Sequence, residues 1–268
     1  MILVELRKML RRPQTWVAIA LLDALPTLIA VLLALTDIGP RPGTGPAFLS
    51  AVLSDGTLFP LAALGIVLPL FLPAAVAVVA GDAVAGEAQA GTLRYLLVRP
   101  VARTRLLVAK LVSVIVFVQL AVLVVAATGY VVGALLLGDQ PVASSLSGTA
   151  LTSGEIAERT VLSMGYVTLS MLGVASIALF LSTSTDSSLG AALGALAFLI
   201  ASTLLLTLDA ASALQPYLPT RYWLAFVDLF RDPILWRDVV RGVGLQGVYV
   251  VVFLGAAWAN FTSKDVTS

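Results

Sequence analysis

The chain has 268 residues, 59% hydrophobic and 12% charged, with a mean hydropathy of +1.02; water-soluble domains carry about 25% charged residues, so the expected solvent is a bilayer. Cysteine and histidine are both absent, which excludes disulfides, thiolate or imidazole metal sites, histidine general bases and Ser-His nucleophile pairs. The net charge of +1 gives no reason to expect a nucleic-acid partner, and what matters is where the basic residues sit.

Residues 2–12 place Ile2, Leu6, Met9 and Leu10 on one helical face, with Glu5 and the basic Arg7, Lys8, Arg11 and Arg12 elsewhere, before Pro13 stops the turn. This pattern fits an interfacial helix lying on the membrane, or a plain extension of the span that follows. It does not read as a secretory leader, because the apolar stretch is as long as a full span and lacks a small-x-small cleavage site.

Six apolar stretches follow, at 16–36, 58–80, 111–137, 161–181, 188–208 and 242–259; of the 16 basic and 15 acidic residues, only Asp23 lies inside one. Without strand-like alternation, helices are the spanning elements that satisfy every backbone amide in hydrocarbon. The predicted fold is therefore an all-α membrane protein, one transmembrane domain over 1–268. It has six transmembrane helices, an N-terminal interfacial helix over 1–15 and short interfacial or re-entrant helices before the last span.

Within the first span, Asp23 is costly to insert, at roughly 2.5–3.5 kcal/mol near a helix centre, so it should face protein, a water cavity or a polar partner such as Gln119. A structural or cavity-lining role and a role in substrate or proton handling both stand. Pro26, Pro60, Pro69 and Pro73 predict kinks in the first two spans. Between spans two and three, residues 81–110 read as a short helix exposing Asp82 and Glu87, broken near Gly91. Arg94, Arg99, Arg103, Arg105 and Lys110 come next. This segment is a docking surface candidate; ordinary positive-inside anchoring accounts for its basic residues but not for Asp82, Glu87 and the break.

Gly129 with Gly133, and Gly190 with Gly194, let helices approach closely, within the subunit or between subunits. Glu155, Glu158 and Arg159 read as a solvated helix face. In 209–241, Tyr222, Phe226 and Phe230 recur at helical spacing near Trp223 and Trp236, as expected of aromatic anchors at the lipid-water boundary. Asn260-Phe261-Thr262 matches a glycosylation sequon by coincidence. With both ends placed in the cytoplasm, the inner segments hold ten Lys and Arg and the outer ones six, which favours that orientation in a cell (inner or plasma) membrane.

The run Asp82, Glu87, Gly91-Thr92-Leu93, Leu97, Pro100, Arg103 and Lys110, lying between spans two and three, resembles the E-x-x-x-G-T-L, P-x-x-R and K signature of permease subunits from type-2 ATP-binding-cassette exporters. Leu218-Pro219-Thr220 before the last span and the ending Phe261 to Val266 are similar to further features of these subunits, though the tail holds a single Lys where relatives often have a cluster. The resemblance implies a transport subunit rather than an enzyme, with 81–110 as the coupling loop. In it Glu87 and Arg103 would contact an ATPase, Gly91 would allow a backbone turn and Pro100 a second break; Asp82, Thr92 and Arg94 belong to the same surface. It also implies an ATPase subunit in two copies that binds ATP and Mg, a second permease copy or homologue, and membrane lipid.

No G-x-x-x-x-G-K-[ST] occurs in the sequence, so the chain supplies no phosphate loop and no cofactor site of its own. Intramembrane serine or zinc proteases need His, and an aspartyl type needs two facing carboxylates. The alternative is an ion-coupled secondary carrier with Asp23 as its proton site. Asp23 and Gln119 are the candidates for the translocation path.

Overall fold

The computed structural model describes residues 1–36, 56–91, 103–137, 143–144 and 150–263. Eight α-helices lie among them: α1 (Ile2–Arg11), α2 (Pro13–Leu35), α3 (Phe59–Val67), α4 (Phe71–Gln89), α5 (Arg103–Leu136), α6 (Ser153–Ser184), α7 (Ser188–Leu206) and α8 (Trp236–Ser263). Helices α2 and α4 to α8 are each long and apolar enough to cross a membrane. The fold is all-α and that of a multi-pass membrane protein; its extended structure among the described residues is one antiparallel pair, Ala143–Ser144 with Ala150–Leu151.

The chain starts with a sharp corner. A residue before proline is pushed out of the helical region, and Arg12, before Pro13, is extended at ψ 124°. Helix α1 therefore stops and α2 starts with proline at its first position, where no amide is needed. The carbonyls left at the end of α1 are not orphaned. Thr15 Oγ1 donates to the Met9 carbonyl at 2.8 Å and Trp16 Nε1 to that of Leu10 at 2.8 Å. Helix α2 then runs unbroken through Pro26.

The second apolar stretch is not one kinked helix but two pieces. Pro69 lacks the amide that would bond Gly65, and its ring crowds that carbonyl, so the helix ends at Val67 and restarts at Phe71. Pro73 falls in the first turn of α4, where a missing amide costs nothing. The short α3 packs on α5. There Gly129 faces Pro60 and Ala63, and Gly133 faces Gly56 and Phe59, so this glycine pair serves packing within the subunit.

Helix α6 is the axis of the bundle, with α4, α5, α7 and α8 against it. Its first turn carries a reciprocal cap: Glu155 N donates to Thr152 Oγ1 at 3.3 Å, and Thr152 N to Glu155 Oε2 at 2.8 Å. Close helix approach replaces the hydrophobic effect as the source of stability in lipid. Gly81 of α4 meets α7 so tightly that a Cβ there would lie 2.9 Å from the Ala192 amide nitrogen. Gly194 likewise faces Leu181 of α6.

Two expectations for the end of the bundle away from α1 need correction. Arg159 is buried, not part of a solvated face; its Nη1 donates to the Arg231 carbonyl at 2.9 Å. The aromatic stripe sits in a 3-10 helix, Trp223–Phe230, packed on α6 and α8. Trp223, Phe226 and Phe230 are buried in the core; the three-residue turn stacks Trp223, Phe226 and Leu229 on one inward side, and Phe230 packs beside them.

Candidate functional site

The charged residues singled out from the sequence converge at the α1 end of the bundle. Lys8 and Arg12, four apart on one side of the α1 corner, meet Glu87 and Asp82, five apart on α4. The two rises are about 6 Å and about 7.5 Å, so the segments run antiparallel with their charges in register. Lys8 Nζ donates to Glu87 Oε1 at 2.7 Å and Arg12 Nη1 to Asp82 Oδ2 at 2.6 Å. From α5, Lys110 Nζ reaches the same Glu87 oxygen at 2.8 Å and lies 3.8 Å from Glu5 Oε2.

Glu87 is therefore not the exposed acid expected from the sequence. Its side chain is 5% exposed and that of Lys110 2%. Helix α4 continues the second span through Gln89 instead of starting a separate short helix, which carries Glu87 inward against α1 and α5. Glu87 and Lys110, the two buried members, offset each other's charge, the condition under which their burial is tolerable, while Glu5 and Lys8 complete the cluster toward the surface. The apolar residues of α1 divide between the bundle and the surface. Met9 is buried and Leu6 half-buried, while Ile2, Leu3, Val4 and Leu10 are exposed and Glu5 turns inward. Arg7 and Arg11 are exposed.

On either side of Asp82 in the chain, the α4 backbone is met by a hydroxyl from α6. Ser182 Oγ donates to the Gly81 carbonyl at 2.6 Å and accepts from the Val84 and Ala85 amides at 3.0 and 2.9 Å. Ser182 thus ties α6 to the backbone of α4 at this point. After the acids, α4 ends at Gly91, whose φ of +68° with open space around it makes glycine a backbone requirement, not a spatial one.

Arg103 does not project as a free contact. It is half-buried, and its Nη1 donates to the Phe261 and Thr262 carbonyls at 3.2 and 2.9 Å. Trp258 Nε1 adds a bond to Thr104 at 2.9 Å, so the start of α5 holds the C-terminal end of α8, as a cation does well there. The Asn260 amide bonds Ser184 Oγ at 2.9 Å. Leu218-Pro219-Thr220 is also pinned: Pro219 receives Gln246 Nε2 at 2.8 Å and Thr220 pairs with Ser202 at 2.8 Å. Thr92, Arg94 and Pro100, with Leu93, Leu97 and Arg99, lie outside the described residues, as do Lys264, Asp265 and Val266 of the tail.

Asp23 is half-buried in α2, with Thr128 of α5 near its carboxylate, whereas Gln119 is exposed. Its Oδ1 has no hydrogen-bond partner among the described residues. Sequence reasoning missed Glu5 and Thr128 as neighbours and treated Lys110 as one of a basic series. The register of Lys8 and Arg12 against Glu87 and Asp82 was the available signal.

Residues 44–267 match a family model described as protein of unknown function (DUF2705). The chain belongs to the DUF2705 family. The matched stretch contains Asp82, Glu87 and Lys110 but stops short of α1 and α2, which supply Glu5, Lys8 and Arg12. No curated protein matches the chain.

Proposed function

We propose that this protein is the membrane-spanning permease subunit of an ATP-driven type-2 ABC exporter. It forms the translocation path and is driven by a separate ATPase present in two copies, beside a second permease copy or homologue. The observation that carries the reading is the ion cluster in which buried Glu87 and Lys110 are joined by half-buried Glu5 and by Lys8 at the exposed rim. It fuses α1, the end of α4 and the start of α5 into one unit on either side of segment 92–102, so force applied there would move three elements together. ATP and Mg belong to the partner, because the sequence has no phosphate loop. The α1 end faces the cytoplasm of a cell membrane, in keeping with the Lys and Arg distribution.

Asp23 keeps a second reading in play. A span carboxylate with one oxygen unbonded among the described residues suits a proton-coupled carrier. Purification from native membranes in mild detergent, followed by reconstitution, separates the two. The exporter reading expects a co-purifying ATPase, transport that needs ATP, and loss of coupling in Glu87→Ala or Gly91→Pro. Transport by the chain alone on a proton gradient, abolished by Asp23→Asn, would replace it with the carrier.

A further inference from the structure

A cavity of about 650 Å³ opens beside the ion cluster, between α1, α2, α4, the start of α5 and the first turn of α7. Its volume is in the range of small-molecule sites. Its two ends differ in chemistry. At one end stand three cations, Lys8, Arg12 and Lys110, and three acids, Glu5, Asp82 and Glu87; most of the remaining wall is apolar, with Leu21, Val78 and Phe71. From Asp82 down to Phe71 the α4 wall extends roughly 16 Å, about half of the ~30 Å hydrocarbon core of a bilayer. The cavity thus runs from the charged rim to the break between α3 and α4, the depth of one leaflet.

We infer that this cavity is a binding site for an anionic amphiphile, whose headgroup is held at Lys8 and Arg12 and whose chain lies along α4 toward Phe71. The sign of the headgroup follows from accessibility. The Lys8 and Arg12 side chains are each 42% exposed, whereas their partners Glu87 and Asp82 are 5% and 32% exposed. A visitor at the mouth meets the cations first. Each also has donors beyond the one its acid uses, since an ammonium carries three and a guanidinium five. A phosphate or carboxylate can therefore be added without breaking either pair. Arg7 and Arg11, exposed on the same helix, raise the local positive potential, and the first turn of α7 at Ser188 and Leu189 contributes the positive end of its helix dipole. That the amphiphile is cargo rests on the exporter reading; that it binds does not.

The test uses the full-length chain in phosphatidylcholine nanodiscs, with photoactivatable phosphatidylglycerol and phosphatidylcholine probes carrying the same diazirine chain and labelled sites mapped by mass spectrometry. Phosphatidylglycerol should label Ala74 to Val79 of α4 in strong preference to phosphatidylcholine. Arg12→Gln should lower that labelling about tenfold, the worth of one charge-assisted hydrogen bond, and Val78→Trp, which fills the cavity from an exposed position, should abolish it. Labelling of the exposed Val251 and Val252 on α8 should stay constant in both variants, reporting an intact fold. Equal labelling by both probes, or indifference to Arg12→Gln and Val78→Trp, means ordinary annular lipid only and overturns the site. Selective labelling in a chain that drives no ATP-dependent export would keep the site and remove the exporter; the reverse result would remove the site alone.

Discussion

The two ends of the bundle differ in the contacts that join distant elements, although both contain ion pairs and both have side chains bound to carbonyls. At the α1 end, charged side chains from three helices bind one another, with Glu87 receiving both Lys8 and Lys110. At the opposite end, side chains bind backbone carbonyls: Arg159 holds Arg231, Tyr166 holds Tyr222 at 2.6 Å, Gln246 holds Pro219 and Tyr249 holds Tyr217 at 3.0 Å. A carbonyl held this way fixes the path of the chain. An ion pair can be re-partnered by any incoming charge. The first arrangement is suited to being pushed or rearranged, the second to staying closed as a cap.

The sharpest way to break this contrast is Glu87→Ala, which leaves Lys110 buried with only the more distant Glu5 carboxylate near it. The expected loss is about 3–5 kcal/mol, read as a large fall in the unfolding temperature of the detergent-solubilised protein. Because the pair is buried, added salt should restore little of it. Ser182→Ala comes next: it removes the side-chain hydroxyl bound to the Gly81 carbonyl and the Val84 and Ala85 amides, for about 1–3 kcal/mol. Hydrogen exchange at those two amides should rise.

Gly242→Val tests the carbonyl-held end. A Cβ there runs into the Tyr166 hydroxyl and should displace it from Tyr222, at about 1–3 kcal/mol, with faster exchange across 222–230 and none at α1. Arg12→Gln should cost no more than about 0.5 kcal/mol, since both partners are partly solvated. Gly255→Ala has open space around it and should leave stability unchanged or slightly raised, by up to about 1 kcal/mol.

The sequence made the six long helices legible because hydropathy decides what lies in lipid, and the Pro13 corner because proline restricts its neighbour. What it concealed came from three-dimensional meeting. Nothing local to Glu87 says that α1 folds back over it, so a charged acid in a loop-like stretch read as exposed. Arg159 looked solvated for the same reason, its acceptor lying 72 residues away at Arg231. Pro69 and Pro73 foretold a disturbance, but whether two prolines kink a helix or divide it depends on how α5 receives the short piece. The aromatic stripe at 222–230 had a helical spacing that fits an anchor and a core element equally well.

The central claim is that an external ATPase engages the α1 end. Because the chain has no cysteine, single substitutions give unique attachment points: Ala90→Cys beside Gly91 and Ser212→Cys at the opposite end, both exposed. In native membranes treated with a short thiol crosslinker, Ala90→Cys should join the chain to an ATP-hydrolysing protein and Ser212→Cys should not. Crosslinking of such a protein from Ser212→Cys alone, or from neither position while transport persists, would contradict the account.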